Sequence, residues 1–217
     1  MIKYNSNNIS DWDFGTSNIV KVYHNNAVCY YKVQAMPSPS SCKWLATYSG
    51  GTTSSAECDS SSAITSGEIE LTNLESVVIG DCVTSIGYGA FQSCTSLASV
   101  TIPSGVTSIS SNAFYNCRSL TNCTIGDNVT NIDYSAFRFC SSLTSIDIPS
   151  GVTSIGNHSF RGCSGLTSIT VEATTPPALG SYAFDNTNNC PIYVPSESVS
   201  VYQSAWSTYA SRIQAIP

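Results

Sequence analysis

Leu97-Ala98-Ser99-Val100-Thr101-Ile102, Leu120-Thr121-Asn122-Cys123-Thr124-Ile125, Leu143-Thr144-Ser145-Ile146-Asp147-Ile148 and Leu166-Thr167-Ser168-Ile169-Thr170-Val171 open four successive segments with nearly one pattern. Leu74-Glu75-Ser76-Val77-Val78-Ile79 precedes them, so the leading leucine falls at 74, 97, 120, 143 and 166, a constant step of 23. A fixed period of that length marks a solenoid, in which each repeat is one coil. Apolar residues alternate in each opening, the mark of a strand with one buried face. Pro103-Ser104-Gly105, Gly126-Asp127-Asn128 and Pro149-Ser150-Gly151 then reverse the chain. A second alternating run follows at Val83–Ile86, Val106–Ile109, Val129–Ile132 and Val152–Ile155. A short helical or turn segment closes each coil with Ala90-Phe91, Ala113-Phe114, Ala136-Phe137 or Ser159-Phe160, then Cys94, Cys117, Cys140 or Cys163. One coil cannot bury its apolar edge alone, whereas stacked coils turn these columns into continuous interior ladders.

This repeat resembles the BspA-like (Treponema-type) leucine-rich repeat, which reads roughly L-x-S-I-x-I-P-x-x-V-x-x-I-G-x-x-A-F-x-x-C. The match runs nearly position by position over residues 74–171. It implies a β-dominated leucine-rich-repeat solenoid with an end cap, and a surface or adhesion protein whose ligand differs from member to member. The resemblance says nothing of the N-terminal residues.

The rest of the chain is read from local signals. Ile19–His24 and Ala27–Val33 are β-rich runs around Asn25-Asn26, a pair that tolerates positive φ, and they predict a hairpin. Lys43–Tyr48 predicts a further strand. Residues 1–50 are therefore expected to form a small N-terminal β module, and 51–73 a linker with a degenerate capping repeat in which Ile64 corresponds to Ile86 and Ile69 to Phe91. The solenoid proper is expected over 74–188 and a C-terminal cap over 189–217. In that cap Val201, Tyr202, Ala205, Trp206, Tyr209, Ala210 and Ile213 fall on one face of a helix running from Ser198 to Ile213, with Ser198 or Ser200 as its N-cap.

Composition narrows the function. The 217-residue chain is only 10% charged, with net charge −6, so a nucleic-acid partner is excluded on electrostatic grounds. No apolar run approaches the ~20 residues needed to span a bilayer. No secretory signal is visible in Met1-Ile2-Lys3-Tyr4-Asn5, and a surface or extracellular site is expected only through the family resemblance. Of the 10 cysteines, the repeated column reads as buried, reduced thiols. Cys42 and Cys58 are the pair that a disulfide would join. No CxxC pair suggests zinc, and neither His24 nor His158 has a partner for nucleophilic catalysis. His158 shares a slot with Gly89, Asn112 and Ser135 and reads as an exposed, variable position. No catalytic, cofactor or metal residues are expected, and the chain is read as a non-enzyme.

Two functional readings remain open. One is a binding or adhesion module that presents a rigid repeat surface to a protein or glycan. The other is a structural part of a larger assembly, such as a bacterial-virus tail or fibre, docked and oligomerised through its N-terminal module. In either, columns that never vary serve stacking, and the variable helical rim is where specificity is expected. Tyr88, Tyr115, Tyr134, Arg138, Phe139 and Arg161 stand there at neighbouring positions of successive coils. Tyr and Arg combine contact area with hydrogen-bond donors and often anchor interfaces.

Overall fold

The computed structural model describes residues 19–24, 27–32, 42–57 and 63–217, with side chains at 44–54 and 63–217. It divides into two units, Met1–Ser38 and Pro39–Pro217. In the first, β1 (Ile19–His24) pairs antiparallel with β2 (Ala27–Lys32), with His24 opposite Ala27.

The second unit begins with β3 (Cys42–Tyr48) and β4 (Thr53–Glu57), an antiparallel pair. β5 (Ala63–Ile64) follows, and then β6 (Leu74–Ile79), the first strand of the coil that Leu74 opens. β3 lies antiparallel on β6, with Trp44 opposite Ile79 and Ala46 opposite Val77. Residues 42–48, expected with the N-terminal module, thus pair with the solenoid. The reason is the edge of β6, whose open N–H and C=O groups need a partner at the end of a stack. Trp44 and Ala46 are buried there.

Each coil then contributes two strands. The second strand of the Leu74 coil is β7 (Ser85–Ile86). β8 (Ser99–Thr101) and β9 (Ser108–Ile109), β10 (Asn122–Thr124) and β11 (Asn131–Ile132), β12 (Ser145–Ile148) and β13 (Ser154–Ile155), and β14 (Ser168–Val171) and β15 (Ala178–Leu179) repeat the pair. The second strands form one parallel sheet from β5 to β15, in which Ile64 stands beside Ile86 as the degenerate coil predicts. The first strands form two sheets. β6, β8 and β10 join β3 and β4, whereas β12 and β14 join β16 (Ile192–Val194) and β17 (Ile213–Ala215).

Three ladders bind coil to coil. Phe91, Phe114, Phe137 and Phe160 are wholly buried and stack nearly parallel, with ring centroids 5.1–5.2 Å apart. That spacing is close to one strand separation, so a ring repeated once per coil must fall over its predecessor. The thiols of Cys117, Cys140 and Cys163 each lie 3.1–3.2 Å from the carbonyl of the phenylalanine 26 residues earlier, and donate to it. These cysteines, like Cys94, are free and buried, and burial pushes the Cys140 thiol up. On the surface, Thr107, Thr130 and Thr153 donate their hydroxyls to the carbonyls of Thr84, Thr107 and Thr130. Thr121, Thr144 and Thr167 do the same one edge away. A chain poor in charge covers itself with hydroxyls that also tie its backbone together. Cys82 is disulfide-bonded; Cys42 and Cys58, the pair that a disulfide would join, lie outside the described side chains.

The C-terminal cap closes the stack with aromatic rings. Phe184 continues the phenylalanine ladder 5.6 Å beyond Phe160, and meets Trp206 and Tyr209, each at 5.7 Å. The helix is shorter than its apolar face suggests. α1 spans Val199–Ala205, a 3-10 turn covers Ser207–Arg212, and the chain ends in β17 rather than in further helix. It breaks at Trp206, whose indole N–H turns to donate to the Pro177 carbonyl at 3.0 Å. Ser198 holds the N-cap position without a side-chain cap; its hydroxyl donates instead to the Thr174 carbonyl at 2.8 Å. Tyr202 donates to the Ala173 carbonyl at 2.7 Å, and Arg212 donates to the carbonyls of Cys190 and Phe184 and to the Thr187 hydroxyl. Burial, with Asp185 accepting its hydrogen bond, pushes the Tyr209 phenol up to about 12.

Candidate binding surface

The segment that closes each coil is a run of turns with no helix among the described residues. It forms a rim, and its backbone is tied between coils. The N–H groups of Asn112, Ser135 and His158 donate to the carbonyls of Tyr134, Asn157 and Ser181, and those of Asn116 and Phe139 donate to Arg138 and Arg161. Two columns of this rim require positive φ. The first holds Gly89, Asn112, Ser135, His158 and Tyr182; the second holds Ser93, Asn116, Phe139, Gly162 and Asn186. Gly and Asn are the usual tenants of such backbone, and bulky residues there carry strain. Phe139 and Tyr182 are therefore out of keeping with their own columns, whereas His158 tolerates such backbone and differs from its column in size.

Those three residues join the rim aromatics. Tyr115 meets Phe139 edge-on at 5.8 Å, with the Arg138 guanidinium 4.7 Å from the Phe139 ring centre. The Phe139 ring lies on Gly162, where a Cβ would come within 2.5 Å of it. Tyr134 meets His158 edge-on at 5.7 Å, and His158 stacks on Tyr182 at 5.3 Å with the rings 6° from parallel. Arg161 lies 5.8 Å over Tyr182. Tyr88, the most exposed of the set at 64%, stands at one end, where Asn112 Nδ2 donates to its hydroxyl at 3.4 Å. Five of the six rim residues expected from sequence thus have aromatic or cation–π contacts within this row, and Tyr88 is set apart from the rings by Asn112.

His158 corrects its sequence reading. It is half-buried and sandwiched, with Nδ1 enclosed and without a hydrogen-bond partner. Burial lowers its pKa first, the Arg138 and Arg161 charges lower it further, and Asp185 opposes them. His158 was masked by the small residues of its column. Tyr182 was missed because the period slips there, with Ala183-Phe184 arriving 24 residues after Ser159-Phe160. The signal that could have found both is the preference of their column for Gly and Asn, which a large ring violates.

The strand face offers a different surface. Thr101, Thr124 and Asp147 are exposed there. At the gap between β10 and β12 lies an open pocket of about 230 Å³, lined in part by Asn122, Thr124, Asp127, Asp147 and Glu172. Among the described residues no group of three or more His, Cys, Asp or Glu side chains is placed to hold a metal, and no helix is long and apolar enough to cross a membrane.

A family profile agrees with this architecture. The profile of the BspA type leucine rich repeat region, in six copies, matches residues 62–191 and 131–214. A leucine-rich repeat protein of Treponema pallidum is 26% identical, over 64% of this chain and 60% of that one, with a TM-score of 0.49. A leucine-rich cell surface protein of Faecalibacterium prausnitzii is also 26% identical, over 70% of this chain and 53% of that one, with a TM-score of 0.41. The chain thus spans a little over half the length of either protein. A leucine-rich repeat protein of Bacteroides capillosus is 24% identical, over 60% of this chain and 98% of that one, with a TM-score of 0.39. No curated protein matches the chain. With the repeat profile covering most of its length, the chain belongs to the BspA-type leucine-rich repeat family, whose repeats suggest a protein-interaction or adhesion module.

Proposed function

We propose that this protein is a non-enzymatic binding module of the adhesion type, and that it holds its partner on the turn rim at Tyr88, Tyr115, Tyr134, Arg138, Phe139 and Arg161, extended by His158 and Tyr182. The observation that carries this reading is the presence of Phe139, His158 and Tyr182 at left-handed positions. Gly, Asn or Ser fills the same columns elsewhere, Gly and Asn at less conformational cost than Phe or Tyr, so stability alone gives no reason for large rings there. The disulfide at Cys82 suits a compartment that oxidises thiols, as a surface role requires.

The test uses a partner captured from a mixed bacterial or mucosal extract. Changing Tyr115, Arg138 and Arg161 together to Ser is expected to release that partner while leaving the melting temperature nearly unchanged. Changing Thr101, Thr124 and Asp147 to Ala is expected to leave capture intact. Loss of capture in the second variant alone would move the site to the strand face.

A further inference from the structure

Charge is scarce and unevenly spread along residues 63–217. The only basic residues there are Arg118, Arg138, Arg161 and Arg212. Arg212 is consumed by the cap, where it donates to Cys190, Phe184 and Thr187. The other three stand on the rim in successive coils. Arg138 and Arg161 form no ion pair with the described residues; each lies over an aromatic ring instead. Arg138 Nε and His158 Nδ1 are both enclosed and without hydrogen-bond partners. A buried polar group left unpaired is costly, so such groups are normally satisfied.

The rings around these donors are already engaged. His158 covers one face of Tyr182, Arg161 lies over that ring, and Arg138 lies over Phe139. A neutral sugar stacking at Tyr182 or Phe139 would have to displace them. Beside the exposed rings of Tyr88, Tyr134 and Tyr182, the rim offers guanidinium N–H and phenol O–H on the surface of a protein with net charge −6. Planar guanidinium donors match carboxylates in pairs.

We infer that the rim around Arg138, His158 and Arg161 is a docking site for the carboxylate side chains of an acidic protein segment. The inference rests on the rim being the binding surface, and it names the chemistry of the partner. His158 faces Tyr134 and Arg138 from one neighbouring coil, Arg161 from its own, and Tyr182 and Asp185 from the other. Desolvation and the two arginine charges keep its proton off near neutral pH, against the pull of Asp185. A bound carboxylate offsets those charges and draws the proton back. Binding therefore takes up a proton and strengthens as pH falls toward 6.

The experiment is fluorescence anisotropy of the full chain with a labelled octaglutamate peptide, an octaglutamine control and a heparin oligosaccharide. Octaglutamate is expected to bind and octaglutamine not to. Raising salt from about 50 to about 500 mM should weaken binding at least about tenfold, since exposed charges are then screened. The double variant R138Q/R161Q should weaken it by a similar factor, whereas R138K, which keeps the charge, should retain most of it. The gain in affinity between pH 7.5 and pH 6 should vanish in H158Q. Absence of octaglutamate binding, or equal binding by R138Q/R161Q, overturns the inference. Heparin bound more tightly than the peptide, and lost in the same variant, overturns the commitment to a protein segment and assigns the site to a sulfated glycan. A pH dependence that persists in H158Q removes His158 from the site. If the Tyr115, Arg138 and Arg161 serine variant releases a captured partner whose binding ignores salt and pH, the rim reading stands and its acidic partner falls.

Discussion

Phe137 and Phe139 are two residues apart in one coil, and they belong to different kinds of aromatic row. Phe137 is one ring in a ladder repeated in every coil, wholly buried, within 7° of parallel to both neighbours. Phe139 has no aromatic counterpart in its column. It meets Tyr115 at 74° and occupies a backbone conformation that its column otherwise gives to Gly, Asn or Ser. The first row is what a repeat must have in order to stack, because each coil buries its edge only against the next. The second row is what a repeat is free to vary once stacking is secured. Regularity marks the structural row, and irregularity the row proposed to select a partner.

The sharpest way to break that comparison is to cut the interior row. Replacing Phe137 by Ala removes a large buried side chain between two stacked rings and is expected to cost about 3–5 kcal/mol in urea melts. Phe91→Ala should cost less, since that ring has a phenylalanine on one side only, at Phe114. Equal losses at the two sites would contradict the ladder. Gly162→Ala probes the rim at an intermediate scale. Its Cβ would collide with the Phe139 ring at a backbone φ of +78°. Strain of that kind costs on the order of 1–3 kcal/mol, and the displaced ring should weaken partner binding as well. A stable variant with unaltered binding would show that Phe139 takes no part in the surface.

The smallest effect sharpens the rim alone. Because the pKa of His158 is lowered in the folded protein, the folded state holds fewer protons than the unfolded one as pH drops. Its contribution to stability is thus present above the ordinary histidine range and is lost as pH falls through that range and the lowered folded value. Thermal melts between pH 7.5 and pH 5 should show a modest decline that is shallower in His158→Gln. An unchanged slope would mean that the ring is solvated.

The interior was legible in sequence because repetition states it five times. Leu74 to Leu166 and Phe91 to Phe160 announce their burial by recurring, and a residue that recurs in every coil has every other coil as its witness. The rim was legible only in part. Tyr115, Tyr134, Arg138 and Arg161 stand out as large residues at variable positions, but their neighbour His158 was disguised by a column of small residues, and Tyr182 by a one-residue slip. The antiparallel seat of β3 on β6 joins residues far apart in the chain and has no period to betray it. The overlong helix in the cap follows the same logic. An apolar face continues past Trp206, but the hydrogen bond of its indole to Pro177 belongs to tertiary structure, which local pattern does not contain.

The threonine hydroxyls that reach back 23 residues to the preceding coil have a mechanical consequence. They and the strand hydrogen bonds lie in series along the stack, and no bond between adjacent coils is shared with a third. Load applied between the two ends of the stack therefore passes in full through every junction, and the weakest yields first. Each yielding junction would pay out one coil of chain, about 80 Å when extended. Pulled from its two ends, the stack would give repeated, nearly equal steps of resistance in place of a single rupture.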